Sequence, residues 1–125
     1  MNIASDPKSI PASSLLSPEA NQAAALASAV DWVVPAYGNA SRAAHAASVP
    51  YLRLWGLVAG GWQLARGAQI AARMLAENKG DANFYRGKIA SSRFYAECLL
   101  PQAAALARAI TVGSESVLEL TDEQF

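Results

Sequence analysis

Apolar residues recur at helical spacing along most of the chain, and no segment is rich enough in Val, Ile and Thr to predict a strand. The first predicted helix begins at Ser17-Pro18-Glu19, where a capping hydroxyl precedes a proline and an acid. It ends at Gly38-Asn39. One face of this helix carries its apolar side chains, Leu26, Val30, Val33 and Tyr37.

The same pattern predicts a short alanine-rich helix followed by two long ones, at residues 40–47, 51–78 and 82–110. Pro50 separates the first two, because proline disfavours helical geometry in the residue before it. Asp81 is expected to cap the last helix, and Pro101 is expected to kink it. Gly113 lies just past the predicted end of that helix.

These elements predict an all-α fold, an antiparallel bundle of three long helices plus a short one. The bundle is expected to span residues 17–113. Residues 1–16 are rich in Ser and Pro and have no apolar period, which predicts a flexible N-terminal arm. Residues 114–125 are expected to form an irregular C-terminal tail.

The long helix after Pro50 has an apolar stripe that faces the predicted core. Its members are Leu54, Leu57, Gly61, Leu64, Ala68, Ala71 and Leu75. Gly60 and Gly61 each cost a helix about 1 kcal/mol relative to alanine. Such a pair indicates a packing constraint, so we expect a neighbouring helix to approach closely there. Tyr95, on the apolar face of the last helix, is given a structural role with them.

The opposite face of this long helix carries two tryptophans one heptad apart, beside two arginines. These residues are Trp55, Trp62, Arg66 and Arg73, with Gln69 and Glu77 on the same face. Tryptophan and arginine are enriched among the residues that dominate binding energy at protein interfaces. Two interpretations stay open for this face. The first or the short helix covers both rings within the domain, which we favour slightly, or the face docks on another domain or subunit, in which case Trp55, Trp62, Arg66 and Arg73 form the interface.

Three charged side chains are given structural roles. Arg53 lies in the first turn of the long helix, beside its apolar stripe, and we expect it to bond terminal carbonyls or a carboxylate of the last helix. An anion-binding role for Arg53 is the alternative. Arg93 and Glu97 are four residues apart on the last helix and are predicted to pair.

Composition limits the classes of partner. Ten basic and ten acidic residues cancel, which argues against a nucleic-acid or anionic-membrane partner. The longest apolar stretch, residues 54–72, contains Gln63, Arg66 and Gln69 and is too polar for a membrane span. Cys98 is the single cysteine, which excludes an internal disulfide and is compatible with the reducing cytoplasm that we expect.

The residues that usually carry chemistry are isolated in this sequence. Its central glycines lie inside a predicted helix rather than in a phosphate-binding loop after a strand. His45 has no partner for a metal site, and Cys98 is expected to be a small buried hydrophobe. No pair of carboxylates suits acid–base catalysis. We therefore assign no catalytic, cofactor-binding or metal-binding residue to this chain.

Several segments, in order, resemble the final helical domain of the acyl-CoA dehydrogenase family. They are Val49 to Trp62 (VPYLRLWGLVAGGW), Lys88 to Glu97 (KIASSRFYAE), Leu99 to Ala103 (LLPQA), Gly113 to Leu118 (GSESVL) and the closing Gln124-Phe125. The similar subgroup comprises larger bacterial members with an extra C-terminal bundle, some of which act on methylthio-propanoyl-CoA-like thioesters. The resemblance covers roughly residues 18–125.

This resemblance implies a parent flavoenzyme that oxidises an acyl-CoA at its alpha and beta carbons, with FAD as oxidant and a carboxylate as base. The family's flavin-binding segments and catalytic glutamate lie upstream of this domain, so no residue here receives those roles. The implied function is a non-catalytic bundle that packs on the dehydrogenase core or supports its oligomer. The partner is then that core or a second copy of this chain. The alternative is a stand-alone, self-associating helical interaction protein.

Overall fold

The computed structural model describes residues 18–125, with side-chain detail from residue 21, and every regular element in that range is helical. The expected arm at 1–16 and the cap at Ser17 lie outside the described residues. The elements are α1 (Pro18–Asn39), α2 (Ser41–Ala46), α3 (Ser48–Ala76), α4 (Ala82–Phe94), a π-helical segment (Tyr95–Leu99), α5 (Gln102–Glu119) and a 3-10 turn (Asp122–Gln124). The all-α prediction is confirmed.

The α2–α3 junction lies earlier than the sequence predicted. Ala47, between the two helices, has helical backbone angles, and α3 begins at Ser48 instead of residue 51. Pro50 is therefore the third residue of α3. Proline is tolerated in a first turn because the backbone N–H that it lacks would have no partner within the helix there.

The last helix departs from the prediction in its middle and at its end. The π-helical segment separates α4 from α5, with the Leu100 N–H donating to the Tyr95 carbonyl at 3.0 Å. Beyond it, α5 continues through Gly113 to Glu119 instead of ending near residue 110. Ser114 is buried, so packing extends the helix past a glycine that local signals mark as a terminus. The expected irregular tail is thus helical over residues 114–119.

The core is built mainly from alanine. Ala29 of α1, Ala47, and Ala103 and Ala107 of α5 surround two large side chains, Leu54 and Ile110, which have no exposed surface. Alanine keeps helix axes close because its side chain ends at the β carbon. The predicted apolar stripe of α3 is confirmed: Leu54, Gly61 and Ala71 are buried, and Leu57, Leu64, Ala68 and Leu75 are half-buried.

The second half of α3 and α4 form a two-helix hairpin, residues 66–94. They are joined by a turn in which Gly80 has φ +75° and the Asp81 carboxylate accepts the Asn83 N–H at 2.8 Å. α4 packs mainly on α3 and contains no buried residue, whereas α1 packs on α3, α5 and α2. α1 covers α2, α3 and α5, but no other described helix covers α4 in the same way.

Candidate docking surface

The tryptophan–arginine stripe of α3 is exposed along its whole length. Trp55 is 44% exposed and Trp62 is 58% exposed. Arg66, Gln69, Arg73 and Glu77 are exposed as well. The alternative that α1 or α2 covers both rings is therefore wrong for the described part of these helices. Large exposed aromatic side chains grouped on one helix face are typical of interaction surfaces.

Neighbouring side chains hold the two rings. The Arg66 guanidinium lies 4.8 Å from the centre of the Trp62 ring, a cation–π distance. Tyr51 meets Trp55 edge to face, with 6.4 Å between ring centres. A side chain already ordered in the free protein loses less conformational entropy when a partner binds. The stripe is thus partly preorganised for contact.

Beside the stripe runs an apolar groove of about 440 Å³, between α3 and the first turns of α1. Its lining is Gln22, Ala23, Leu26, Trp55, Val58, Ala59, Gly61, Trp62, Ala65 and Leu100. Among the described lining residues, Gln22 alone has a polar side chain other than the two indoles. Such a groove suits apolar side chains of a partner, whereas a strongly polar ligand would find few hydrogen-bonding groups.

Two glycines of α3 let the π-helical segment and Leu100 approach α3 closely beside the groove. A β carbon on Gly61 would lie 2.8 Å from the Leu100 Cδ2 atom. One on Gly60 would lie 2.7 Å from the Tyr95 hydroxyl oxygen. That hydroxyl donates to the Leu57 carbonyl at 2.8 Å. Gly60 thus meets Tyr95 of the π-helical segment, and Gly61, which also lines the groove, meets Leu100 just after that segment.

Arg53 does not make the contact that the sequence suggested. Its side chain is exposed, and among residues 21–125, whose side chains are described, no carboxylate lies within 4.0 Å of it. The expectation assumed that the last helix ends near residue 110, beside Arg53. Ile110, in the same buried cluster as Leu54, is instead followed by nine more helical residues. Its carbonyls are engaged within the helix at that level, so they are not available to Arg53.

The π-helical segment explains two further corrections. Across the described chain, the ion pair within 4.0 Å is Lys79–Glu77, and the predicted Arg93–Glu97 pair is not formed. A π turn has more residues per turn than an α turn, so Glu97 is rotated away from the position that i, i+4 spacing requires. Cys98, in the same segment, is exposed and not buried. The additional residue in the π turn is not predicted by the local sequence spacing.

Sequence reasoning identified the stripe but missed the groove. Leu26 had been assigned to a helix face, and Val58 and Leu100 had no role. These side chains converge only through the packing of α1 on α3. The one available signal was the glycine pair, which predicts a close neighbour but not the depression beside it.

The described residues do not fit a flavin dinucleotide. The groove offers apolar surface, but its lining contains no cation and no glycine-rich loop for a pyrophosphate. Arg66 directly follows the groove-lining Ala65 in sequence, but its guanidinium stacks on the Trp62 ring. Within residues 18–125, no three His, Cys, Asp or Glu side chains cluster as a metal site would require. No helix in that range is long and apolar enough to cross a membrane.

The chain is similar to a known protein family and to a dehydrogenase of known name. Residues 6–121 match the family described as "Acetyl-CoA dehydrogenase C-terminal like". Over 95 residues, 76% of its length, the chain is 38% identical to 3-methylmercaptopropionyl-CoA dehydrogenase of Ruegeria pomeroyi. It covers 16% of that relative's length. No solved structure matches the chain.

Proposed function

The chain belongs to the C-terminal domains of the acyl-CoA dehydrogenase family, and we propose that it is a non-catalytic docking domain of an FAD-dependent acyl-CoA dehydrogenase. In this proposal it packs on the dehydrogenase core or supports the enzyme's oligomer. One observation carries the proposal: Trp55 and Trp62 stand exposed on the rim of an apolar groove. The family match supports a dehydrogenase core as the partner.

The energetics favour a protein partner. Burial of apolar surface contributes about 25 cal/mol per Å², and aromatic side chains offer the most surface for the fewest rotatable bonds. Trp62 has Arg66 already stacked on one face, so a partner that covers the ring also desolvates a cation. A carboxylate or carbonyl of the partner beside Arg66 would compensate that cost. We expect a docking site that is apolar opposite the groove and acidic opposite the arginines.

Catalysis belongs elsewhere in this account. FAD, when bound to the parent enzyme, supplies the oxidation of the acyl-CoA, and the base that removes the alpha proton is a carboxylate outside this chain. The role of the bundle in this proposal is to hold a surface of the core or of a neighbouring subunit in place. The acyl-CoA named for the Ruegeria pomeroyi relative is one candidate substrate class for the parent.

The experiment measures binding of the 125-residue chain to the flavin-loaded dehydrogenase core from the same host. Sedimentation velocity, followed by flavin absorbance, reports only species that contain the core. We expect the wild-type chain to raise the sedimentation coefficient of the core. The double variant Trp55→Ala, Trp62→Ala should weaken binding about tenfold or more, since hot-spot truncations cost at least about 2 kcal/mol.

The matched control is Tyr37→Ala, which removes an aromatic side chain that is 68% exposed on α1 and does not line the groove. This variant should bind like the wild type. Circular dichroism of each variant separates lost docking from lost folding. Equal binding by the double variant, or no binding by the folded wild-type chain, would contradict the proposal.

A further inference from the structure

The charges of this neutral chain are separated between its two ends. The hairpin, residues 66–94, carries six cations and two acids, a net charge of +4. The cations are Arg66, Arg73, Lys79, Arg86, Lys88 and Arg93. Glu77 pairs with Lys79, and Asp81 caps α4, so neither acid compensates the arginines. The hairpin therefore presents guanidinium groups without nearby carboxylate partners among the described residues.

The opposite charge is concentrated in residues 113–125. This segment contains Glu115, Glu119, Asp122 and Glu123 and no basic residue, a net side-chain charge of −4. All four carboxylates are exposed. Thr121 and Gln124 form a capping box that orders the 3-10 turn between α5 and the end of the chain. The acidic segment is thus a structured surface.

These two charged surfaces lie at opposite ends of the bundle. α5 runs antiparallel to α3 and packs against α2, which immediately precedes α3. The hairpin turn lies at the other end of α3, a helix of 29 residues. At 1.5 Å per residue, the hairpin turn lies roughly 40 Å from the start of α3, and Arg93, near the end of α4, lies roughly 20 Å closer to it. Both separations exceed the Debye length of about 8 Å at physiological salt, so the surfaces do not neutralise each other within one molecule.

Both surfaces also expose apolar side chains. On the hairpin these are Ile70, Phe84 and Phe94, each at least half exposed. On the acidic segment they are Val117, Leu120 and Phe125, of which Phe125 is 93% exposed. Arg86 lies between two shallow depressions on the hairpin, one lined also by Lys79 and the other by Arg93. The two surfaces carry opposite charge, and both expose apolar side chains.

We infer that the acidic segment of one molecule docks on the hairpin of a second copy of the same chain. In an antiparallel pair each molecule contributes one hairpin and one acidic segment, so a two-fold axis forms both contacts at once. The guanidinium groups of Arg86 and Arg93 bind carboxylates such as Glu119 and Glu123, and the exposed apolar side chains are covered. This inference extends the oligomer-supporting role proposed above and does not involve Trp55 or Trp62.

The test uses charge reversal in the full 125-residue chain. Sedimentation velocity at about 0.1 M salt should give a species of twice the 13.1 kDa chain mass. About 1 M salt, where the Debye length falls to about 3 Å, should shift it to monomer. The hairpin variant Arg86→Glu, Arg93→Glu should weaken the dimer by about tenfold or more, as should the segment variant Glu119→Lys, Glu123→Lys.

A mixture of the two variants provides the decisive readout. Each variant then offers the charge that the other lacks at both contacts, so a heterodimer should form where neither variant dimerises alone. Arg108→Glu, an exposed reversal on α5 outside both surfaces, should dimerise like the wild type.

A monomeric wild-type chain at low salt, or a mixture that stays monomeric, would overturn the inference. All charge variants keep both tryptophans, so their binding to the dehydrogenase core tests the docking proposal independently. Loss of self-association with intact core binding supports both assignments, whereas loss of core binding with intact self-association shows that the charged surfaces contact the core instead of a second copy.

Discussion

At the scale of single residues, the spacing between α3 and the last helix depends on a glycine and a tyrosine. The Tyr95 hydroxyl reaches the Leu57 carbonyl because no side chain on Gly60 intervenes. The hydrogen bond is part-buried and spans 38 residues of sequence. It is the one side-chain hydrogen bond between distant helices that the described chain contains, so it fixes how the π-helical segment meets α3.

A double-mutant cycle tests this contact. Gly60→Ala gains about 1 kcal/mol of helix propensity but displaces Tyr95, which costs the hydrogen bond and about 1–3 kcal/mol of overpacking. We expect a net loss of about 1–2 kcal/mol by urea unfolding. In a Tyr95→Phe background the penalty should shrink by about 1 kcal/mol, because the atom nearest the new methyl is the hydroxyl oxygen.

Gly56→Ala is the matched control for this cycle, since no atom lies within 4 Å of a β carbon built there. It should stabilise the chain by up to about 1 kcal/mol. Additive effects of Gly60→Ala and Tyr95→Phe would show that the two positions do not meet in solution.

Residues of α3 and of the π-helical segment show which features local sequence patterns predict and which they do not. The apolar stripe of α3 and its glycine pair follow from helical periodicity and from the energetic cost of glycine. The exposure of Cys98 and the missing Arg93–Glu97 pair depend on an extra residue in the helical turn. No simple local spacing rule distinguishes a π turn from an α turn, because the choice depends on how both flanking helices pack.

At the scale of elements, the helices differ in how much packing supports them. α5 contributes four buried residues, whereas α4 contributes none. Most helical stability in proteins comes from tertiary burial rather than from intrinsic propensity. The two helices are joined through the π-helical segment and both pack on α3, but in the described part of the chain only α5 also packs on α1 and α2.

This difference predicts unequal protection of backbone amides. In the isolated chain, amides of α4 should exchange with solvent hydrogen at least about tenfold faster than those of residues 103–114 in α5, since sparsely buried helices open with lower free energy. Hydrogen exchange followed by mass spectrometry measures both in one sample. Binding of a partner to the hairpin should slow exchange in α4 selectively. Equal protection of α4 and α5 in the monomer would contradict this view of the hairpin.

Element boundaries were the least predictable part of the fold. Pro50 and Gly113 are strong local signals for a break and a stop, but both lie inside helices in the structure. Pro50 is accommodated because it falls in a first turn. The helix continues past Gly113 because Ser114 is buried against the rest of the bundle. The start of α3 determines how Pro50 is accommodated, and tertiary packing determines that the helix passes Gly113; neither is visible in a local window.

At the scale of the whole molecule, three exposed surfaces lack a partner among the described residues. These are the tryptophan–arginine stripe beside its groove, the cationic hairpin and the acidic segment. A bundle of this size with an alanine core has little apolar surface to spare, yet it leaves Trp55 and Trp62 exposed, whereas Trp32 packs against the core. Such a distribution fits a domain whose stability and purpose depend on a larger assembly. The stripe was predictable from periodicity, whereas the groove required the packing of α1 against α3.

The most direct test of the docking account is to isolate from the native host the species that carries this domain, with an antibody against it, and measure its mass and flavin absorbance. We predict a yellow species several times larger than 13.1 kDa, because the domain should be found with an FAD-containing dehydrogenase core. A colourless species that contains only this bundle, as one copy or several, would contradict it.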